Sequence, residues 1–218
     1  MDNSTKKISD SNQTVETTLG LLKAVQAEGD LSQRGLAERL GVALGLTNAL
    51  IKRCVRKGLL KVSQAPARRY AYYLTPKGFS EKSKLTAEYL SASLDFFRRA
   101  RLEYGESLDY CANRKWQSVA FVGSSELTEI ALLGLEESGL SLVAIVDSAR
   151  NEETFQGYPV VRSLDELKSV DAFVITDSRD PQGVFDHLVE NIPARRIMTP
   201  SLLHVIREAG STDEEAAE

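Results

Sequence analysis

The chain has 218 residues, which fits one or two domains, and 42% hydrophobic against 27% charged residues, which fits a globular protein. Two cysteines, Cys54 and Cys111, exclude a disulfide framework and a cysteine-rich metal site and fit a reducing cytoplasm. The formal net charge of −4 hides a split: residues 20–104 carry 16 Lys and Arg against 7 Asp and Glu, whereas residues 118–218 carry 7 against 19. A basic half at +9 and an acidic half at −12 imply two modules with different partners.

Residues 1–14 are polar and lack the apolar core of a secretory signal, so a disordered head is expected there. No apolar run approaches the roughly 20 residues of a membrane span, so no membrane partner is expected. Residues 15–28 read as a helix with Leu19, Leu21, Leu22 and Val25 inward, ended by Gly29. Ser32 is placed to cap a short second helix, whose Leu36, Ala37 and Leu40 share a face, and Gly41 makes the turn. A third helix over 44–57 puts Thr47, Leu50, Ile51 and Cys54 in the core. That leaves Gly45, Leu46, Asn48, Ala49, Lys52, Arg53 and Arg56 outward. Strands at 59–62 and 70–74 flank a loop carrying Arg68 and Arg69, and Thr75-Pro76 opens another helix as N-cap and first helical residue.

Three helices followed by a hairpin with a basic tip is the order of a winged helix-turn-helix over residues 15–78. In that arrangement the third helix offers its outer face to the DNA major groove. Asn48 has the paired donor and acceptor that match adenine, and Lys52 and Arg53 match phosphate or guanine. Arg68 and Arg69 suit a minor groove or phosphates, so replacing both by alanine is expected to flatten the salt dependence of binding by about 1–2 units. Ser32, Gln33, Gly45, Leu46 and Ala49 complete the expected DNA-facing set. The stretches SQRGLAERLGVALGLTNALIKRCVRKGLLKV and RRYAYYLTPKGFSEKSKLT resemble the MarR-type winged-helix regulators associated with exopolysaccharide genes. The resemblance spans roughly residues 15–90 and implies a dimer that binds double-stranded DNA at a specific operator. A winged helix used for protein contacts is the alternative.

Residues 79–115 read as a linking helix. Leu90, Phe97, Tyr104 and Cys111 recur every seven residues, with Ala87, Leu94, Arg101 and Leu108 offset by four. This heptad pattern predicts a homodimer seam of Leu90, Leu94, Phe97, Arg101, Tyr104 and Leu108, with Arg101 paired to Glu103 or to Glu106 of a second copy. A helix packed on its own chain is the alternative.

Beyond residue 116 apolar strands alternate with helices. Strands are expected at 118–122, 140–146, 158–161, 171–176 and 196–198, and helices at 126–138, 164–168, 181–191 and 200–208. The pattern predicts a Rossmann-like parallel α/β domain over 116–208 and a disordered acidic tail over 209–218, making the whole chain an α/β protein. Ligands of such sheets bind beyond the carboxyl ends of the strands. Those ends carry Gly123, Ser124, Ser125, Asp147, Arg150, Thr176 and Arg179, the expected ligand set. Gly123–Ser125 ahead of a helix could hold phosphate, and Asp147, 24 residues after Gly123, could hold a ribose hydroxyl. The dinucleotide motif G-x-G-x-x-G is absent: the stretch reads G-S-S-E-L-T. Gly123 as a turn and Asp147 as a strand-end cap remains the other reading.

VAFVGSSELTEIALLGLEESGLSLVAIVD, FQGYPVVRSLDEL and VDAFVIT are similar to the nucleotide-binding subdomain of acetyltransferases and dehydratases that modify sugars in surface-polysaccharide synthesis. That similarity implies a nucleotide-sugar ligand at Gly123, Ser124, Ser125 and Asp147. The architecture also matches NAD(H)-responsive repressors of the Rex type, so NAD(H) is a second candidate effector. The two histidines, His187 and His204, accompany no nucleophile–base or metal-ligand motif, and no enzyme activity is expected. The sequence thus reads as a cytoplasmic, dimeric DNA-binding regulator whose α/β domain senses a small molecule. An adaptor with no DNA affinity and a regulator with a purely structural sheet are the rival readings.

Overall fold

The computed structural model describes residues 3–28, 32–65, 69–167 and 169–207; the expected acidic tail and Gly29 lie outside them. The chain divides into two compact units, Met1–Leu94 and Asp95–Glu218.

The first unit opens with α1, Asn3–Ala27, which reaches back through the segment expected to be disordered. The stretch contains neither glycine nor proline before Gly20, and extending a formed helix costs far less than nucleating one. Helix α2, Gln33–Leu40, starts where the Ser32 hydroxyl accepts from the Gly35 amide and stops at Gly41 in the left-handed region. Helix α3, Leu44–Arg56, buries Thr47, Leu50, Ile51 and Cys54, the four residues that helical spacing selects. They close a core with Leu19, Leu21, Leu22 and Val25 of α1 and Leu36 of α2. An antiparallel hairpin of β1, Leu60–Ala65, and β2, Arg69–Leu74, adds Leu60 and Tyr72 to that core.

Helix α4, Pro76–Asn113, begins on a Thr75 cap: its hydroxyl accepts from the Gly78 amide at 3.0 Å. The unit boundary falls inside this helix, after Leu94. Its N-terminal part supplies Leu85 to the first core, and its C-terminal part supplies Ala100, Tyr104, Leu108 and Cys111 to the second. One helix thus contributes residues to both cores.

The second unit is a six-stranded sheet: β3 (Ser118–Val122), β4 (Ser141–Val146), β5 (Thr154–Phe155), β6 (Tyr158–Val161), β7 (Ala172–Ile175) and β8 (Ile197–Met198). The order is β5-β6-β4-β3-β7-β8, with every pair parallel except the short β5–β6 hairpin. Side chains alternate between two faces. Val119, Phe121, Ile145 and Val174 pack with the end of α4 and with α5, Glu126–Ser138; Ala120, Val122, Val146 and Ile175 pack with α6, Pro181–Val189. This is the doubly wound α/β arrangement that the strand–helix alternation predicts.

Two expected helices are shorter than predicted. Residues 164–166 and 201–203 form single 3-10 turns, ended by Leu167 in extended backbone and by His204 in the left-handed region. The expected second helix does not continue beyond Leu203; Ile206 is exposed and has no core to cover. Among the described residues, no helix is long and apolar enough to cross a membrane.

The expected dimer seam divides between Phe97 and Arg101. Tyr104 and Leu108 are fully buried in their own chain, and Arg101 pairs with Glu137 of α5 at 2.8 Å instead of with Glu103 or Glu106. Leu90, Leu94 and Phe97 remain exposed, at 54%, 52% and 37%. The Tyr104 hydroxyl donates to the Ile175 carbonyl at 3.0 Å, and burial holds its pKa far above the ordinary value, so it stays a donor. Tyr104→Phe removes that donor and is expected to cost about 1–3 kcal/mol, read as a lower urea midpoint of the α/β unit.

Asp171 ties the start of β3 to β7: its Oδ2 accepts from the Gln117 and Ser118 amides at 2.9 Å and from the Ser118 hydroxyl at 2.8 Å. The Gln117 amide first, then the Ser118 hydroxyl and amide, hold its pKa below the ordinary carboxylate value. A carboxylate whose folded pKa lies below its unfolded one, about 3.9, stabilises the fold above that unfolded value and stops doing so as pH falls through the folded value. The urea midpoint is expected to hold from pH 7 to about 5 and to fall below about pH 4. Asp171→Asn should lower the neutral midpoint and flatten that acid branch; an unchanged branch would remove Asp171 as its source.

Candidate nucleic-acid interface and strand-end cleft

On the first unit, α3 presents Gly45, Leu46, Ala49, Lys52, Arg53 and Arg56 to solvent. The expected Asn48 contact is altered. Asn48 is half-buried, and its Oδ1 is shielded from solvent without a hydrogen-bond partner among the described residues. Reading adenine with both amide atoms requires this side chain to turn outward. Gln33 is also committed: its Nε2 donates to the Tyr72 hydroxyl at 3.0 Å and braces α2 against the hairpin. Ser32 is exposed, and with its oxygen accepting from Gly35 it keeps a hydroxyl proton to donate. Arg68 lies outside the described residues; Arg69 begins β2, with its side chain outside the description. Arg56 is a further exposed cation of α3 that the expected DNA-facing set left out; helical spacing from Lys52 places it on the same face.

On the second unit, a cavity of about 380 Å³ opens beyond the carboxyl ends of the central strands, within the size range of about 300–1,000 Å³ usual for small-molecule sites. Gly123, Asp147 and Arg179 of the expected ligand set line it. Ser124, Ser125, Thr176 and Arg150 stand behind it as supports. The Ser124 amide donates to Asp147 Oδ2 at 3.1 Å, and the Ser124 hydroxyl also bonds that oxygen. The Ser125 hydroxyl donates to the Thr176 carbonyl at 2.6 Å, and the Thr176 hydroxyl to the Gly123 carbonyl at 2.7 Å. Arg150 donates to the Ser124 oxygen at 3.0 Å and lies 4.4 Å over the Phe155 ring.

Asp147 accepts the Ser124 and Ala149 amides at the end of β4 and also lines the cavity. Burial would raise its pKa, but the Ser124 hydroxyl, the Ala149 and Ser124 amides and the Arg179 guanidinium outweigh it and hold the carboxyl below its ordinary value. The α5 N-terminus is capped as well. The Ser125 amide donates to Thr128 Oγ1 at 2.9 Å, and the Leu127 amide to Ser125 Oγ at 3.1 Å. Gly123 has φ +106°, and its position against Asp177 leaves no room for a side chain. The cavity also takes in Asp177, Asp165, Arg162 and His187, which the strand-end motif did not single out. They come from turns after β6 and β7 and from α6, elements whose ends bear no recognisable motif. Among the described residues, no group of three or more His, Cys, Asp or Glu is placed to hold a metal.

Residues 16–61 match the family model described as winged helix-turn-helix DNA-binding. The match covers the C-terminal part of α1, all of α2 and α3, and the start of β1. No curated protein matches the chain. Among solved structures, the chain is similar to the PcaV transcriptional regulator from Streptomyces coelicolor in complex with its natural ligand. There the identity is 28%, 37% of this chain and 59% of that one are covered, and the TM-score is 0.35. The chain thus spans little more than half the length of that regulator. The S. aureus MepR–DNA complex is 19% identical over 56% of this chain and 72% of that one, with a TM-score of 0.34. Human N-acetylserotonin methyltransferase in complex with SAM is 14% identical over 87% of this chain and 76% of that one, with a TM-score of 0.33.

Within the winged helix-turn-helix, the exposed face of α3 carries three cations, Lys52, Arg53 and Arg56, and no carboxylate. Arg34 and Arg39 of α2 are instead held in ion pairs with Glu38 and Glu28. The free positive charge of the helix-turn-helix is thus concentrated on α3, the element that enters the major groove in this motif.

Proposed function

We propose that this chain is a cytoplasmic, dimeric DNA-binding transcription regulator whose α/β unit senses a small metabolite. The observation that carries the DNA-binding part is the winged helix-turn-helix match together with the uncompensated cations of α3. The domain plan that goes with it is a DNA reader over residues 15–78, a linking and dimerisation helix over 79–115 and a sensor over 116–208. Replacing Lys52 and Arg53 by alanine together is expected to weaken binding to any duplex and to lower the slope of log K against log salt by about 1–2 units. Absence of DNA affinity at low salt would overturn this reading in favour of a protein-binding adaptor.

The dimer rests on Leu90, Leu94 and Phe97, an exposed apolar stripe on α4. Light scattering at micromolar concentration is expected to give twice the mass of 24.0 kDa, and Phe97→Glu to return the monomer. A monomeric wild type would remove the dimer. Sensing rests on the strand-end cavity. A ligand shifts operator affinity only if it binds two arrangements of the protein unequally, so operator titration with and without a calorimetrically identified ligand tests it. The resemblance read from the sequence motifs supports control of surface-polysaccharide genes. Sequencing the genomic fragments that the purified protein retains is expected to recover their promoters.

A further inference from the structure

The strand-end cleft is surrounded by backbone amides of the kind that bind phosphate in α/β proteins, yet the protein's own carboxylates already occupy them. After β4, the Ala149 amide donates to Asp147 Oδ1 at 2.9 Å, while the other oxygen of Asp147 takes the Ser124 amide that follows β3. After β6, the Arg162 and Ser163 amides both donate to Glu166 Oε1 at 3.0 Å. After β7, the Arg179 and Asp180 amides donate to Asp177 Oδ1 at 2.7 and 2.9 Å. The α6 N-terminus is closed likewise, the Gly183 amide donating to Asp180 Oδ1 at 3.1 Å. Four consecutive strand ends thus meet an internal anion where a ligand phosphate would bind.

The two arginines of the cleft do not reverse this balance. Arg179 lies 3.2 Å from Asp177 Oδ2 and 3.8 Å from Asp147 Oδ2, so its charge is spent on two carboxylates. Arg162 donates to the Asn151 side-chain Oδ1 at 3.3 Å and lines the same cavity as Asp165. Three aspartates against two arginines leave the wall with more carboxylates than cations, and with acceptor oxygens facing the cavity. Such oxygens accept from hydroxyl groups.

Resting on the proposal that the α/β unit is a sensor, we infer that its cleft takes a neutral molecule bearing vicinal hydroxyls, of sugar or nucleoside type, and discriminates against the phosphorylated forms of the same molecules. The shared chemistry is the diol that donates to Asp147, Asp165 or Asp177; whether a free sugar or a nucleoside supplies it is decided by the probes. A phosphate brought to these carboxylates would meet like charge and find the amides named above already bonded, which makes its exclusion a property of the wall.

The test is calorimetry on the full chain with ribose, glucose, N-acetylglucosamine, adenosine and uridine, each compared with its phosphate or nucleoside diphosphate form, and with NAD. At least one neutral probe is expected to bind, with its phosphorylated counterpart at least about tenfold weaker, or about 1.4 kcal/mol. Binding confined to ribose, glucose or N-acetylglucosamine assigns a sugar site; binding confined to adenosine or uridine assigns a nucleoside site. Asp177→Asn is expected to shrink the discrimination. Asp165→Asn, at an exposed residue that caps no strand end, should do the same without endangering the fold. Equal or tighter binding of the phosphorylated probes would overturn the inference. So would failure of every neutral probe to bind a folded protein that still binds DNA, an outcome that leaves the DNA-binding reading intact. A protein that binds a neutral probe but no DNA would sink that reading and spare this one.

Discussion

Gly123→Ala is expected to destabilise the α/β unit by about 3 kcal/mol or more, enough to remove a large part of the stability of an ordinary domain. Two costs combine. At φ +106° a side chain is strained wherever it points. The added Cβ would also sit 2.4 Å from the Asp177 amide nitrogen and 2.5 Å from its Cα, far inside any real contact. Asp177 has little freedom to retreat. Its amide donates to the Val122 carbonyl at 3.0 Å, and its carboxylate holds the turn into α6. Urea unfolding followed by Trp116 fluorescence, a reporter within the α/β unit, should show the midpoint fall, while the helix-turn-helix still binds DNA. An unchanged midpoint would show that the turn after β3 has slack that these distances deny.

Gly78→Ala is expected to act on the other unit with comparable force. Its Cβ would lie 2.1 Å from the Leu59 carbonyl oxygen and 2.7 Å from Leu74 Cδ2. The Thr75 hydroxyl pins the same place, donating to the Gly58 carbonyl at 2.6 Å while capping the Gly78 amide. Opening this junction separates the first turn of α4 from the base of the hairpin. We expect a loss of about 2–3 kcal/mol or more, together with a loss of DNA affinity, and an unaltered transition for the α/β unit. The paired variants therefore also test whether the two units unfold independently. A single shared transition in both would mean that they do not.

Periodicity was enough to place the buried residues of α3, because Thr47, Leu50, Ile51 and Cys54 leave the helix on one side whatever surrounds them. The same holds for the strands of the sheet, whose apolar runs have room for no other structure. The fate of the α4 stripe was not legible. A heptad pattern reports that an apolar face exists but not what covers it, and here the face passes from exposed Leu94 and Phe97 to Tyr104 and Leu108 under the sheet's own strands. The occupied amides of the cleft were equally hidden. Asp147, Glu166 and Asp177 reach amides two to twenty-three residues away, and only the strand order brings Ser124 beside Asp147. Asn48 shows the converse: its place on α3 follows from spacing, but the inward turn of its amide oxygen depends on packing.

The two cysteines, first read as a sign of compartment, also provide an instrument. Cys54 lies in the core of the winged helix-turn-helix and Cys111 in the core of the α/β unit. Burial raises the pKa of both thiols, that of Cys111 to about 11, so neither is a ready nucleophile near neutral pH while its core is closed. Each domain therefore carries one silent label that speaks only when that domain opens. Brief exposure to a thiol reagent, followed by mass analysis of the two peptides, times the opening of the two units separately in one unmodified molecule, with and without DNA.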